Sequence, residues 1–197
     1  MISDEHLIMN DKILVCYASK YGGTAKIAVK IAETLKRNSL KVDLMRVEEV
    51  ISVEPYIAVI LGSAIYMGRW RKSAVSFLKR NKKKLTGIPV WIFSSGPTGG
   101  GDPGELLKGW KFPKHMESLI AGINPRDTTV FHGALDMNKL TPVDRWIINR
   151  AKVPVGDYRE WDTIFAWSQK VAGNCKEWSD AISFSSRDAE PWPQRKK

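Results

Sequence analysis

Apolar and polar positions along this chain follow two rhythms, short buried runs and longer stretches at helical spacing, and the two take turns. Residues 12–18 form a short apolar run ending in small polar residues, which predicts a buried first strand. Residues 24–36 then place Ile27, Ala28, Ile31, Ala32 and Leu35 on one face at helical period. Residues 41–47 alternate through Val42 and Leu44, as a strand nearer a sheet edge does. Residues 57–62 read as a second fully buried strand, and 73–84 as a helix that packs through Val75, Phe77 and Leu78. Gly87-Ile88-Pro89 opens a strand over 90–94. A glycine-rich loop through Gly104, a short helix over 115–121 and a last strand over 128–133 follow.

After Gly133 the pattern changes. Thr141-Pro142-Val143-Asp144 is a helix start, with a hydroxyl N-cap, proline at the first helical position and an acid in the first turn. Val143, Trp146, Ile147, Arg150 and Ala151 share a face of that helix, and Pro154 and Gly156 end it. A final helix over 161–181 spaces Ile164, Ser168, Val171, Cys175, Trp178 and Ile182 along one face, the spacing of core packing.

Strands alternating with helices predict an α/β fold, a doubly wound five-stranded parallel sheet with helices on both faces. In strand order 2-1-3-4-5, a ligand sits at the carboxyl ends of the strands, where the chain reverses direction across the sheet. The expected organisation is an N-terminal extension (1–11), one domain (12–182) with an added helical segment at about 138–156, and a flexible basic tail (183–197) carrying Trp192 between two prolines.

Composition narrows the class. Hydrophobic residues at 43% and charged residues at 26% are the balance of an ordinary globular protein, and no apolar run approaches the roughly 20 residues that span a bilayer. The first residues are too acidic for a secretory signal, so a cytoplasmic location is expected. Cys16 reads as a small core residue, and neither it nor Cys175 has a disulfide or metal-site spacing, so no metal is expected. The net charge of +10 is unevenly placed: between Pro55 and Gly101 there is no Asp or Glu, whereas Arg69, Arg71, Lys72, Lys79, Arg80, Lys82, Lys83 and Lys84 fall there. Such a field favours an anionic small molecule, an anionic membrane surface or nucleic acid. A solvated helix end accounts for Lys82-Lys83-Lys84 equally well.

Three loops carry candidate chemistry. Ser19-Lys20-Tyr21-Gly22-Gly23-Thr24 joins the first strand to the first helix. Its glycines let backbone amides approach a phosphate, and Ser19 and Thr24 add hydroxyls at a helix start with partial positive charge. It is neither a Walker A loop nor a dinucleotide loop, and suits a terminal phosphate monoester. The loop Ser63, Ala64, Ile65, Tyr66, Met67, Gly68 after the third strand combines small residues with large flat ones, as an aromatic ring system requires. The loop Ser95, Gly96, Pro97, Thr98, Gly99 after the fourth leaves amides and one hydroxyl free for a ring edge. Each loop alone also reads as ordinary capping, packing or surface flexibility.

Together, ILVCYASKYGGTAKIAVKIAETL, VILGSAIYMGRW and VWIFSSGPTGG resemble the flavodoxin-like family over about residues 12–180. The run GSAIYMGRWRKSAVSFLKRNKKKLTGIPVWIFS, and the later HGALDMNKLTPVDRWIINRAKVPVGDYREWDTIFAWSQKVA, resemble the subgroup that includes menaquinone-dependent protoporphyrinogen IX dehydrogenase. The glycine-rich segment from Gly96 to His115 departs from the basic, threonine-rich stretch of that enzyme. The resemblance implies a flavodoxin fold, FMN held by the three loops, and an oxidoreductase passing electrons from protoporphyrinogen IX or a related small anionic substrate to a quinone, peripheral at the inner face of the membrane. Trp161, Trp167, Trp178 and Trp192 near Lys and Arg suit such a surface, although Trp178 falls on the apolar helix face and reads as core.

No catalytic side chain is expected, because the flavin carries the chemistry. His6, His115 and His132 are scattered and read as structural or exposed. Arg69, Arg71 and Lys72, just beyond the expected ring edge, are candidates for attracting a substrate or partner, and would raise the flavin potential above that of an acidic flavodoxin. Two alternatives stay open: an electron carrier docking with redox protein partners, and a non-redox binding module. Nucleic acid has no recognised motif to bind it here.

Overall fold

The computed structural model describes residues 11–187, with side chains described through residue 183. In chain order the elements are β1 (Lys12–Ala18), α1 (Gly23–Arg37), β2 (Val42–Arg46), β3 (Tyr56–Tyr66), β4 (Arg69–Trp70), α2 (Lys72–Leu85), β5 (Val90–Ser95), α3 (Pro103–Leu106), α4 (Glu117–Ala121), β6 (Asp127–Phe131), β7 (Ala134–Leu135), α5 (Pro142–Arg150), β8 (Gly156–Asp157) and α6 (Trp161–Arg187). The main sheet runs β2-β1-β3-β5-β6, all neighbours parallel, which is the expected 2-1-3-4-5 order once the hairpin strand β4 is set aside.

Successive strand residues point to opposite faces, so the continuous apolar runs of β1, β3 and β5 fill two layers at once. Leu14, Cys16, Val59, Leu61 and Ile92 pack towards α2 and α4, through Phe77, Leu78 and Ile120. Ile13, Val15, Ala58, Ile60, Trp91 and Phe93 pack towards α1 and α6, through Ile27, Ile31, Ile164, Val171 and Cys175. Phe93, Phe131 and Trp167 meet with ring centroids 5.6–6.3 Å apart. Each large apolar side chain fully buried in this way contributes about 1.5–3 kcal/mol. Burial also pushes the Cys16 thiol far up and that of Cys175 to about 12, so both stay protonated and serve as packing.

Four features depart from the expected pattern. Strand β3 does not stop at Gly62 but runs on to Tyr66 and folds back as β4, pairing Ile65 with Trp70. The second loop is therefore a hairpin, whose tip, Met67 and Gly68, has positive φ at both residues (51° and 69°), as primed hairpin turns require. Strands β7 and β8 pair antiparallel and clasp the ends of residues 136–155. Helix α5 turns Val143 and Trp146, which the spacing put on a common face, into solvent at 67% and 65% exposure, and buries Asp144 and Ile148. Helix α6 continues past the expected start of the tail to Arg187.

Trp167, which suited an interface in sequence, turns inward and donates to Asp127 Oδ2 (2.9 Å), while Trp178, expected on the core face of α6, donates to the Ile57 carbonyl (3.1 Å). Trp161 lies against the Arg159 guanidinium (4.6 Å). His6, Trp192 and most of both expected extensions lie outside the described residues. Among the described residues, no helix is long and apolar enough to cross a membrane.

Candidate functional site

The carboxyl ends of β1, β3 and β5 bring the three loops around one cavity of about 410 Å³, within the range of small-molecule sites. Ser19, Lys20, Tyr21, Gly23 and Thr24 line it from the first loop. Ala64, Ile65, Tyr66, Met67 and Gly68 line it from the second, and Ser95, Gly96, Pro97 and Thr98 from the third. Three expected residues do not. Gly22 caps α1 behind the wall, Ser63 is buried with its hydroxyl donating to the Ala64 carbonyl and accepting from Arg71 N, and Gly99 packs on Pro154.

The first loop is shaped by a short internal bond, Gly22 N to Ser19 Oγ at 3.0 Å. Gly22 sits at φ 86°, a conformation other residues rarely adopt, and contributes no side-chain cap to α1; nor is there an acid in the first turn. Among the described residues no side chain caps this helix start and no acid stands in its first turn, an arrangement that favours an external anion.

The second and third loops touch at Gly96. A Cβ there would stand 2.7 Å from Ile65 Cβ and 3.0 Å from the Ile65 carbonyl, so only glycine lets the loops close to this distance. His132 pins the third loop from behind: its ring nitrogens lie 3.2 Å from the Pro97 carbonyl and 2.8 Å from that of Gly101, and the ring is buried. Both ring nitrogens are thus taken up by backbone carbonyls of the third loop, and His115 is exposed. The Thr98 hydroxyl is different. It is buried and has no hydrogen-bond partner among the described residues, although the residue itself lines the cavity. Such an orphan costs about 1–3 kcal/mol unless something in the cavity meets it.

The rest of the wall was not foreseen. Leu107, Gly133, Ala134, Leu135, Ile147, Ile148, Ala151 and Val153 close the cavity, half of them from the segment held by the β7–β8 clasp. The same segment delivers Asp144, a buried carboxylate on which four side chains converge. Lys20 Nζ donates to Oδ2 at 2.6 Å, Thr141 Oγ1 donates to the same oxygen at 2.9 Å, the Tyr21 hydroxyl also donates to Oδ2, and the Tyr66 hydroxyl donates to Oδ1. The Lys20 ammonium also lies 3.9 Å from the centre of the Tyr66 ring. In sequence, Asp144 carries only the signal of a first-turn acid; nothing local shows that it reaches 124 positions back to Lys20.

Near the clasp, Arg159 donates to Asp157 through Nε (2.7 Å) and Nη2, and through Nη1 to the Gly23 carbonyl (3.3 Å). The guanidinium holds the Asp157 carboxyl below the usual carboxylate range. Arg69, Arg71 and Lys72 flank the hairpin but do not line the cavity. The cations on which a raised flavin potential was expected therefore stand off its wall.

A family model described as a flavodoxin domain matches residues 14–160. No curated protein matches the chain. Among solved structures, a flavodoxin from the domain Archaea is similar at TM-score 0.52 and 14% identity, covering 84% of this chain and 99% of its own. The rubredoxin oxygen:oxidoreductase of Desulfovibrio gigas is similar at TM-score 0.55 and 17% identity, over 85% of this chain. The Flv1 flavodiiron core of Synechocystis is similar at TM-score 0.56 and 14% identity, over 92% of this chain. This chain spans 37% and 38% of the length of those two larger proteins. At these identities the likeness is one of fold.

Proposed function

The chain belongs to the flavodoxin domain family, and from that premise we propose that it is an FMN-dependent oxidoreductase built as one domain over residues 12–182. FMN is the cofactor. The observation that carries the reading is the convergence of all three loops on one cavity of about 410 Å³. In this reading the uncapped start of α1, with the Ser19 and Thr24 hydroxyls, holds the phosphate. Ala64 to Gly68 and Ser95 to Thr98 flank the ring. Ile147, Ile148 and Val153 exclude water from the far side. When bound, FMN supplies the acceptance of a hydride or of single electrons. The protein's part is to orient it and set the charge around it.

The finer reading names the substrate: protoporphyrinogen IX or a related small anionic molecule, with a quinone as electron acceptor, at the inner face of the membrane. The quoted sequence resemblance supports it, as do Arg69, Arg71 and Lys72 beside the second loop. The test is anaerobic mixing of the FMN-loaded protein with protoporphyrinogen, followed by a quinone. Bleaching of the flavin by the first and recovery with the second is the expected result. No bleaching would remove this substrate and leave a flavodoxin-domain redox protein.

One observation favours a second reading, an electron carrier that docks with a redox protein. Met67, Val143 and Trp146 are 65–68% exposed, on the two elements that also wall the cavity. Photoreduction separates the two: a carrier takes up electrons in two resolved one-electron stages, whereas the enzyme reading expects one two-electron step.

A further inference from the structure

We infer that Asp144 is a positioning residue for the FMN cavity: it neutralises Lys20 and anchors the Tyr21 and Tyr66 rings, so that the wall facing the cofactor carries no net charge. The inference rests on the FMN reading above. Among the described residues, the ionisable side chains on the cavity wall are Lys20, Tyr21 and Tyr66, and all three donate to this one carboxylate. The carboxylate itself is 6% exposed and comes from α5, outside the strand–helix alternation that builds the sheet. Thr141 caps α5 and bonds Asp144 through both its hydroxyl and the Asp144 amide, which fixes the carboxylate at the start of the helix.

The geometry gives Asp144 two effects. Without it, Lys20 would present an uncompensated ammonium to the cavity, and a cation in a water-poor site favours the more negative, reduced flavin over the oxidised one. Without it, too, the hydroxyls of Tyr21 and Tyr66 would lose their shared acceptor and their rings would be free to turn into the cavity. The basic stretch from Arg69 to Lys84 is acid-free in sequence, yet the fold brings an acid to its cavity end from 60 or more positions downstream. The flavin potential is then set by the Lys20–Asp144 balance rather than by the surface cations.

The test measures the midpoint potential of the two-electron couple, and the FMN dissociation rate, for the wild type, Asp144→Asn, Lys20→Met and the double variant. Thermal unfolding of each FMN-free protein reports the fold. Asn keeps the shape of the side chain and removes its charge. In Asp144→Asn, binding of reduced relative to oxidised FMN is expected to strengthen about tenfold, an upward shift of about 30 mV for a two-electron couple. FMN release should quicken several-fold. The double variant should return most of the way to the wild-type potential, and Lys20→Met alone should shift it downward. If Asp144→Asn is less stable but leaves the potential in place, Asp144 is only a brace for α5 and the inference is overturned. If that variant does not fold, Lys20→Met decides: no downward shift overturns the inference equally. A wild-type protein that takes up no FMN overturns the cofactor reading itself, an outcome distinct from FMN-loaded proteins of equal potential.

Discussion

In the main sheet, strands β1, β3 and β5 put apolar side chains on both faces and bury them under helices, while the segment clasped by β7 and β8 buries a carboxylate, Asp144, beside Ile148 and leaves the large apolar side chains Val143 and Trp146 in solvent. The two regions meet at the same cavity but are held by different forces. The sheet side rests on area removed from water, which is non-directional and tolerant of detail. The clasped side rests on a few charge-assisted hydrogen bonds at Asp144 and Asp157, which are directional and fail singly. The sheet therefore sets the stability of the molecule, and the clasped segment sets the character of its site.

The largest effect expected of this division is at Phe93, fully buried between Phe131, Trp167 and the bare backbone of Gly62. Phe93→Ala should cost about 3–5 kcal/mol in urea unfolding. Trp146→Ala, on the clasped side, should stay within about 0.5 kcal/mol. Comparable losses at the two positions would break the comparison. Next comes the contact that joins the loops. Gly96→Ala sets a methyl 2.7 Å from Ile65 Cβ and should cost about 1–3 kcal/mol through overpacking. It should also weaken FMN binding at least tenfold, measured by quenching of flavin fluorescence. Tight FMN binding by this variant would show that the second and third loops need not close on each other.

The same division explains what could be read in the sequence. Strands of a doubly covered sheet are runs of apolar residues with no need of partners to be recognised, so β1, β3, β5 and the faces of α1, α2 and α6 were legible from spacing alone. Most residues of the three loops were legible too, because loop chemistry at strand ends follows from the topology. The hairpin at Tyr66–Arg69 was missed because its tip is Met67-Gly68 rather than an Asn-Gly or Asp-Gly pair. On α5, the helical period correctly grouped Val143 with Trp146, but period alone does not say which face is buried. That was decided by Asp144, whose donors Lys20, Tyr21 and Tyr66 lie 78–124 positions away. Two-residue strands such as β7 and β8 carry too few positions to show any period at all.

A smaller effect sharpens the cavity side. Thr98→Val removes a buried hydroxyl that has no partner among the described residues. In the FMN-free protein this should be neutral or slightly stabilising, since the uncompensated desolvation disappears. In the FMN complex it should weaken binding by about 1 kcal/mol, roughly fivefold, if the hydroxyl meets the cofactor. The opposite signs are what matter. A loss of stability without cofactor, and no change in affinity, would make Thr98 a packing residue.

The smallest effect lies at the clasp, where pH reports the ion pair of Asp157 with Arg159. The Asp157 side chain is 50% exposed although that of Arg159 is buried at 5%, and water at the carboxylate holds the pair's contribution to about 1 kcal/mol. Its sign is nevertheless fixed. The guanidinium lowers the Asp157 carboxyl in the folded state below its unfolded value of about 3.9. Stability from this group is thus fully present above pH about 4 and is lost as the pH falls through the lowered folded value. The difference in unfolding free energy between the wild type and Asp157→Asn should accordingly be constant from neutral pH down to about pH 4, then narrow below it. High salt should narrow it as well, because the pair is screened. Through Arg159 and the Gly23 carbonyl the same pair touches the phosphate loop, so FMN affinity should fall no more than a few-fold in the variant. A stability difference that widens as the pH drops would mean that Asp157 acts through something other than Arg159. The clasp would then have to be held, like the sheet, by packing alone.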